Sequence, residues 1–273
     1  MAGRQAMPAG AALVACRRSG RSRPVTHFSA NLNKIALLRN TRDTGIPDLL
    51  RAARLCIQAG AAGITVHPRP DQRHTRTADV HQLRGLTAEA GVEFNVEGYP
   101  DDGFLALVCA SRPDQCTLVP DAPQQRTSDH GWDVAAHRDL LARTCDRLRR
   151  AGIRVSIFVD PDEQQARDAG QVGAHRIELY TEPYAHAFVS GDATTWLPRY
   201  AATARAATAV GLGVNAGHDL NLHNLGIFLQ EVPAVAEVSI GHALIADALE
   251  LGMVEAVRRY VAICQGGTPA AGH

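Results

Sequence analysis

Short apolar runs rich in β-branched residues alternate along this chain with longer stretches whose apolar positions recur every three or four residues. The short runs are HFSANL (27–32), GITVH (63–67), VEFNVEG (92–98), QCTLVP (115–120), RVSIFVD (154–160), RIELYT (176–181), LGVNAG (212–217) and EVSIGH (237–242). Each has the length and composition of a buried strand. The longer stretches, such as PDLLRAARLCIQAGA, VAAHRDLLARTCDRLRRAG and LPRYAATARAATAVG, carry the helical period. Gly60, Gly91, Gly152 and Gly211 stand between a helix and the next strand, where glycine closes a helix. Strand and helix in alternation imply parallel pairing through right-handed crossovers. Eight such units in 273 residues predict an α/β fold, a (β/α)8 TIM barrel in a single domain over residues 25–265. A doubly wound open sheet is the alternative, but no G-x-G-x-x-G follows the first strand to favour it.

Charge narrows the partners. With 28 basic and 28 acidic residues the net charge is zero, so no overall field draws the chain to nucleic acid or to a membrane surface. No apolar run approaches the ~20 residues that span a bilayer. The six cysteines are scattered without a C-x-x-C pair, which fits reduced thiols in a cytoplasmic enzyme. Residues 1–24 differ from the rest: they hold five arginines and no acid. Their apolar stretch precedes the charges, the reverse of a secretory signal. A disordered extension is the expectation there, and a flexible tail over 266–273.

In such a barrel the chemistry sits at the carboxyl ends of the strands. The first run ends in Asn31, Asn33 and Lys34, the only lysine in the sequence. The second ends in His67, followed by Arg69 and His74. The stretch HPRPDQRH offers donors suited to a phosphoryl group, though alone it could be a solvated basic loop. Glu97 and Glu178 fall inside strands three and six, where a buried carboxylate needs a partner or a task. His218 follows strand seven, beside Asp219, which could orient its ring. Gly241 and His242 open the stretch HALIADALELG, whose free N–H groups suit an anion. No histidine pair at helical spacing beside a carboxylate marks a metal site, so neither metal nor organic cofactor is expected. These residues point to acid–base chemistry on small phosphorylated molecules; isomerisation, aldol chemistry and condensation all remain open.

More specific are the runs NLNKIALLRNTR, AGITVHPRPDQRHTR, FNVEGYP, QCTLVPD with TSDHGWD, RVSIFVDPD, RIELYTEPYA, VNAGHDLNLHNL and SIGHALIADAL. From Asn31 to Gly252 this ordered set resembles the pyridoxine 5′-phosphate synthase family of vitamin B6 biosynthesis. The resemblance implies condensation of 3-amino-2-oxopropyl phosphate with 1-deoxy-D-xylulose 5-phosphate, by a homo-octamer built from dimers and without a cofactor. It implies general-base roles for His67 and Glu97, a general-acid role for His218 and transition-state stabilisation by Glu178. Asn31, Arg42, Asp219 and the Gly241–His242 pair would hold the aminoketone phosphate. Asn33, Lys34, Arg69, His74 and Thr127 would hold the pentulose phosphate. Many members have Asp-His where this chain has Asn33-Lys34, and glycine is common at Asp43 and, in part of the family, at Asp219. Two other readings compete. One is a different barrel enzyme, such as a phosphosugar isomerase or an aldolase, and a Schiff-base aldolase would depend on Lys34 alone. A catalytically dead binding barrel should have lost one of His67, Glu97 or His218, and all three are present.

Overall fold

A computed structural model describes residues 25–121 and 128–267. Eight parallel strands close into a barrel in chain order: β1 (His27–Asn31), β2 (Gly63–Val66), β3 (Glu93–Gly98), β4 (Gln115–Leu118), β5 (Arg154–Val159), β6 (Arg176–Tyr180), β7 (Gly213–Gly217) and β8 (Val235–Ile240). Around them lie α1 (Asn33–Arg39), α2 (Leu49–Gln58), α3 (Thr77–Ala90), α4 (Asp102–Ser111), α5 (Arg138–Arg150), α6 (Glu163–Gln171), α7 (Glu182–Ser190), α8 (Ala193–Ala209), α9 (Leu225–Glu231), α10 (His242–Leu251) and α11 (Met253–Cys264). The barrel read from the alternation of strand and helix is the barrel found. No helix among the described residues is long and apolar enough to cross a membrane.

Helix ends follow local chemistry. Gly60, Gly91, Gly152 and Gly211 all have positive φ, the conformation that stops a helix at least steric cost in glycine. Asp48, Asp101 and Asp162 cap α2, α4 and α6 by accepting backbone N–H groups. Every strand differs from its predicted run by one or two residues, and two of the differences bear on the site. β1 stops at Asn31, because the Leu32 carbonyl already accepts the Ala36 N–H and starts α1. Asn33 and Lys34 therefore open a helix. β8 begins and ends two residues earlier than its predicted run, since Gly241 leaves the extended region and caps α10. A bulge pairs Val214 with Val235 but Asn215 with Glu237, so Ala236 is the extra residue.

The strands sort their side chains by face. Outward positions such as Phe28, Ile64, Phe94, Leu118, Ile157, Leu179 and Val238 are buried and join one apolar core with the helices. Each such large side chain contributes roughly 1.5–3 kcal/mol by leaving water. The inward face is polar. Toward its amino end Gln115 bonds Glu237 (3.3 Å), Asn215 (3.3 Å) and Arg154 (3.0 Å), while Arg176 reaches Asn215 (2.9 Å) and Glu237 (3.2 Å). Higher up, Ser29, Thr65, Asn95, Thr117 and Glu178 form a chain of hydrogen bonds between 2.7 and 3.4 Å. Val119, Phe158 and Tyr180 make a small separate apolar cluster toward the carboxyl end. Packing therefore leaves the polar groups on the axis, below the site.

Candidate active site

Above these layers the barrel opens into a cavity of about 560 Å³, within the size range of small-molecule sites. Asn31, Asn33, Lys34, His67, Arg69, His74, Glu97, Glu178, His218, Asp219, Gly241 and His242 all line it. Residues scattered over 212 positions of sequence are thus brought to one wall by the barrel, from Asn31 to His242. Two other sequence-predicted residues are not among them. Arg42 lies beyond the end of α1, exposed and off the cavity wall. Thr127 falls outside the described residues.

His67 and Glu97 face each other with Nδ1 and Oε2 4.0 Å apart, too long for a direct hydrogen bond. The Asn33 side-chain amide oxygen accepts the His67 backbone N–H (2.8 Å) and the Thr75 hydroxyl (3.0 Å), which ties the start of α1 to the loop after β2. Burial holds the His67 imidazole well below its ordinary pKa, aided by the positive charges of Arg69, His74 and Arg73. His74 is lowered to about 4, again by burial first and then by the neighbouring arginines. Glu97 moves the other way: burial, then the charges of Glu178, Asp121 and Glu237, push it well above the usual carboxylate range. Burial raises Glu178 to about 7, against a hydrogen bond from Thr117 and the charge of His218. Burial thus disfavours the charged form of both partners, the imidazole of His67 and the carboxyl of Glu97.

Glycine is required where Glu178 lies over β7. A Cβ on Gly217 would stand 2.3 Å from the Glu178 Oε1. Gly241 likewise lets the Asn31 amide approach, since a Cβ there would meet it at 3.1 Å. Beyond Gly217 the backbone turns sharply: His218 has φ 87° and Asp219 φ 59°, left-handed conformations that are rare outside glycine. His218 Nδ1 lies 3.0 Å from Asp219 Oδ2. That bond chiefly lowers the Asp219 pKa.

Several groups on the cavity wall or directly behind it had not been singled out in the sequence. Asp121 is buried and forms an ion pair with Arg69, and the Ser128 hydroxyl donates to the same oxygen at 2.8 Å. Its position directly after the run QCTLVP, at a strand end, was the available signal. Ser239 lines the cavity two residues before Gly241, as strand alternation allows. Arg73 adds a charge to the wall, and Leu37, Val119 and Phe158 add apolar surface. Among the described residues, Nδ1 of the cavity residue His74 is buried without a hydrogen-bond partner, as is Asp121 Oδ1 behind Arg69.

The sequence matches the family of the pyridoxal phosphate biosynthesis protein PdxJ over residues 28–266. The chain belongs to the PdxJ family. It is similar to the pyridoxine 5′-phosphate synthase of Xanthomonas axonopodis pv. citri (strain 306), 55% identical over 249 residues that cover 89% of this chain and 98% of the relative. With the synthase of Xylella fastidiosa (strain M23) it shares 53% identity over 252 residues, 90% of this chain and 97% of that one. A solved thiamine phosphate pyrophosphorylase from Pyrococcus furiosus has a TM-score of 0.57 at 14% identity, over 89% of this chain and 96% of that one, which is a likeness of fold alone. In this PdxJ chain the cavity can do two things. Cations from the β2–α3 loop and the starts of α1 and α10 can neutralise phosphates. The His67, Glu97, Glu178 and His218 side chains can move protons between them.

Proposed function

We propose that the protein condenses 3-amino-2-oxopropyl phosphate with 1-deoxy-D-xylulose 5-phosphate to pyridoxine 5′-phosphate, releasing inorganic phosphate and two waters. The observation that carries this reading is the 55% identity over 98% of a relative named for that product. It is joined by the convergence of four proton-carrying side chains on one cavity. The ring nitrogen comes from the aminoketone, so imine formation needs no enzyme lysine. What the reaction needs is protons delivered and removed at successive carbons.

His67, kept neutral, is the first base. Glu97, whose carboxyl is raised by burial and by the neighbouring carboxylates, is the second base. His218, on the cavity wall with Nδ1 bonded to Asp219, is the acid for departing water. Glu178, above the Thr117 chain, stabilises the charge that develops between them. Lys34, Arg69 and His74, with Asn33 and Thr127, hold the pentulose phosphate. Asn31, Asp219 and the start of α10 hold the aminoketone phosphate, together with Arg42. Since Arg42 lies off its own cavity, that assignment requires either a moved loop or a neighbouring subunit. Self-association into a homo-octamer and a cytoplasmic location belong to the same proposal, and sedimentation of the purified protein tests the first. Incubation with both phosphates, followed by chromatography for pyridoxine 5′-phosphate and assay of released phosphate, tests the reaction. Absence of product with both substrates present would overturn it.

A further inference from the structure

His218 and Asp219 are consecutive non-glycine residues in left-handed backbone, with φ 87° and 59°. Such a turn persists only where its surroundings over-determine it. Two side chains from outside the turn grip it. Thr181, fully buried directly after β6, shares its hydroxyl proton between the carbonyls of Gly217 (2.7 Å) and His218 (2.5 Å). Its backbone N–H also donates to the Gly217 carbonyl, at 3.0 Å. On the far side the buried Asn224 donates its amide to the Asp219 carbonyl at 3.2 Å. The ring of Tyr180, the residue before Thr181, meets the His218 imidazole edge-on at 5.2 Å.

We propose that Thr181 is a positioning residue for His218: its hydroxyl holds the 217–218 carbonyls so that the left-handed turn aims the imidazole into the cavity. Thr181 does not line the cavity, so its effect runs through His218 rather than through contact with substrate. The inference rests on the reading of His218 as the general acid. Valine at 181 fills the same volume and keeps the backbone bond to Gly217 but has no proton to donate. The His218 carbonyl then loses its grip on β6, and the turn is free to rotate the ring away from the reacting atoms. Misplacement by about 1 Å in a catalytic group lowers turnover on the order of 100-fold.

The test compares Thr181→Val with Thr181→Ser, which restores a hydroxyl, in steady-state kinetics per folded molecule and in crystal structures of both. Thr181→Val is expected to lower kcat about 10- to 100-fold while KM for each phosphate stays within about threefold. Thr181→Ser is expected to stay within about threefold of the parent in kcat. The Thr181→Val crystal structure should show φ at residue 218 moved from its left-handed value. Turnover in Thr181→Val within threefold of the parent overturns the inference, and so does equal impairment of the serine variant. If the parent itself forms no pyridoxine phosphate, the functional reading fails instead. In that case an unchanged 217–219 turn in Thr181→Val overturns the positioning role by itself.

Discussion

Lys34 is the only lysine in the sequence, and it stands as the second residue of α1, exposed at the edge of the cavity. The first turn of a helix favours acidic side chains, because its free N–H groups carry partial positive charge. α1 has no acid there and has this ammonium instead. Two positive features side by side are stabilised by an anion, and a compact ammonium fits beside Arg69 and His74 where a planar fork changes both reach and donor geometry. Lys34→Arg is therefore expected to raise KM for the pentulose phosphate about tenfold, the equivalent of one well-made hydrogen bond, with melting temperature and aminoketone use nearly unchanged. Kinetics with each substrate varied in turn checks this, and an unaltered KM removes Lys34 from the phosphate site. Glu97 and His218 should behave differently, since they act on bonds being made and broken. Glu97→Gln keeps the shape and the acceptor facing Asn31, yet cannot exchange a proton. It and His218→Ala are each expected to lower kcat by about 10²–10⁴ while substrate binding persists. A loss below tenfold for either residue rejects its proposed role.

At the scale of elements, α1 also sets the loop after β2. Arg39 forks onto Asp79 at 2.6 and 2.9 Å, and the Asn40 amide donates to the carbonyls of Gln72 (3.2 Å), Arg73 (3.1 Å) and His74 (2.7 Å). The loop so held presents Arg69, Arg73 and His74 to the cavity. Asn40→Ala removes the donor and leaves the backbone of 72–74 free to move, so KM for the pentulose phosphate is expected to rise about tenfold while kcat changes less. Equal loss of kcat and KM effects scaling with unfolded protein would mark Asn40 as a stability residue only. Neither Arg39 nor Asn40 stood out in the sequence, because their partners lie some 30 to 40 positions away and three of those partners are carbonyls. The helix ends were readable for the opposite reason: a glycine at 60, 91, 152 or 211 acts on its own turn. Cavity residues were readable where the strand-end rule applied, as with His67 and His218. Asp121 stood at such an end too, but without the β2 loop in view nothing paired it with Arg69.

The whole molecule departs from the usual barrel, whose interior is filled by branched apolar side chains. Here Ser29, Thr65, Asn95, Thr117 and Asn215 take those places, all nearly or fully buried. Alternation of polar and apolar residues ordinarily marks a strand with one face in water, so the period alone did not mark these polar residues as enclosed; only Glu97 and Glu178 were read that way, from their place inside barrel strands. Enclosure has an electrostatic consequence. Glu97, Glu178 and Glu237 are each pushed upward, and in all three cases burial is the leading cause. An unfolded chain releases the Glu178 proton near 4.5, whereas the native protein keeps it to about 7. Between those values the native state binds more protons than the unfolded state, so stability falls as pH rises through that window and levels off above it. Glu178→Gln removes the titration while leaving an oxygen for the Thr117 hydroxyl. The variant is therefore expected to be more stable than the parent at pH 8, by up to about 3 kcal/mol from a shift of that size. Its advantage should shrink toward nothing as pH falls to about 4.5. Urea unfolding of both proteins across this range, at one protein concentration, reads the difference directly. A difference that stays constant with pH would show that Glu178 is charged throughout, held by partners strong enough to offset its burial.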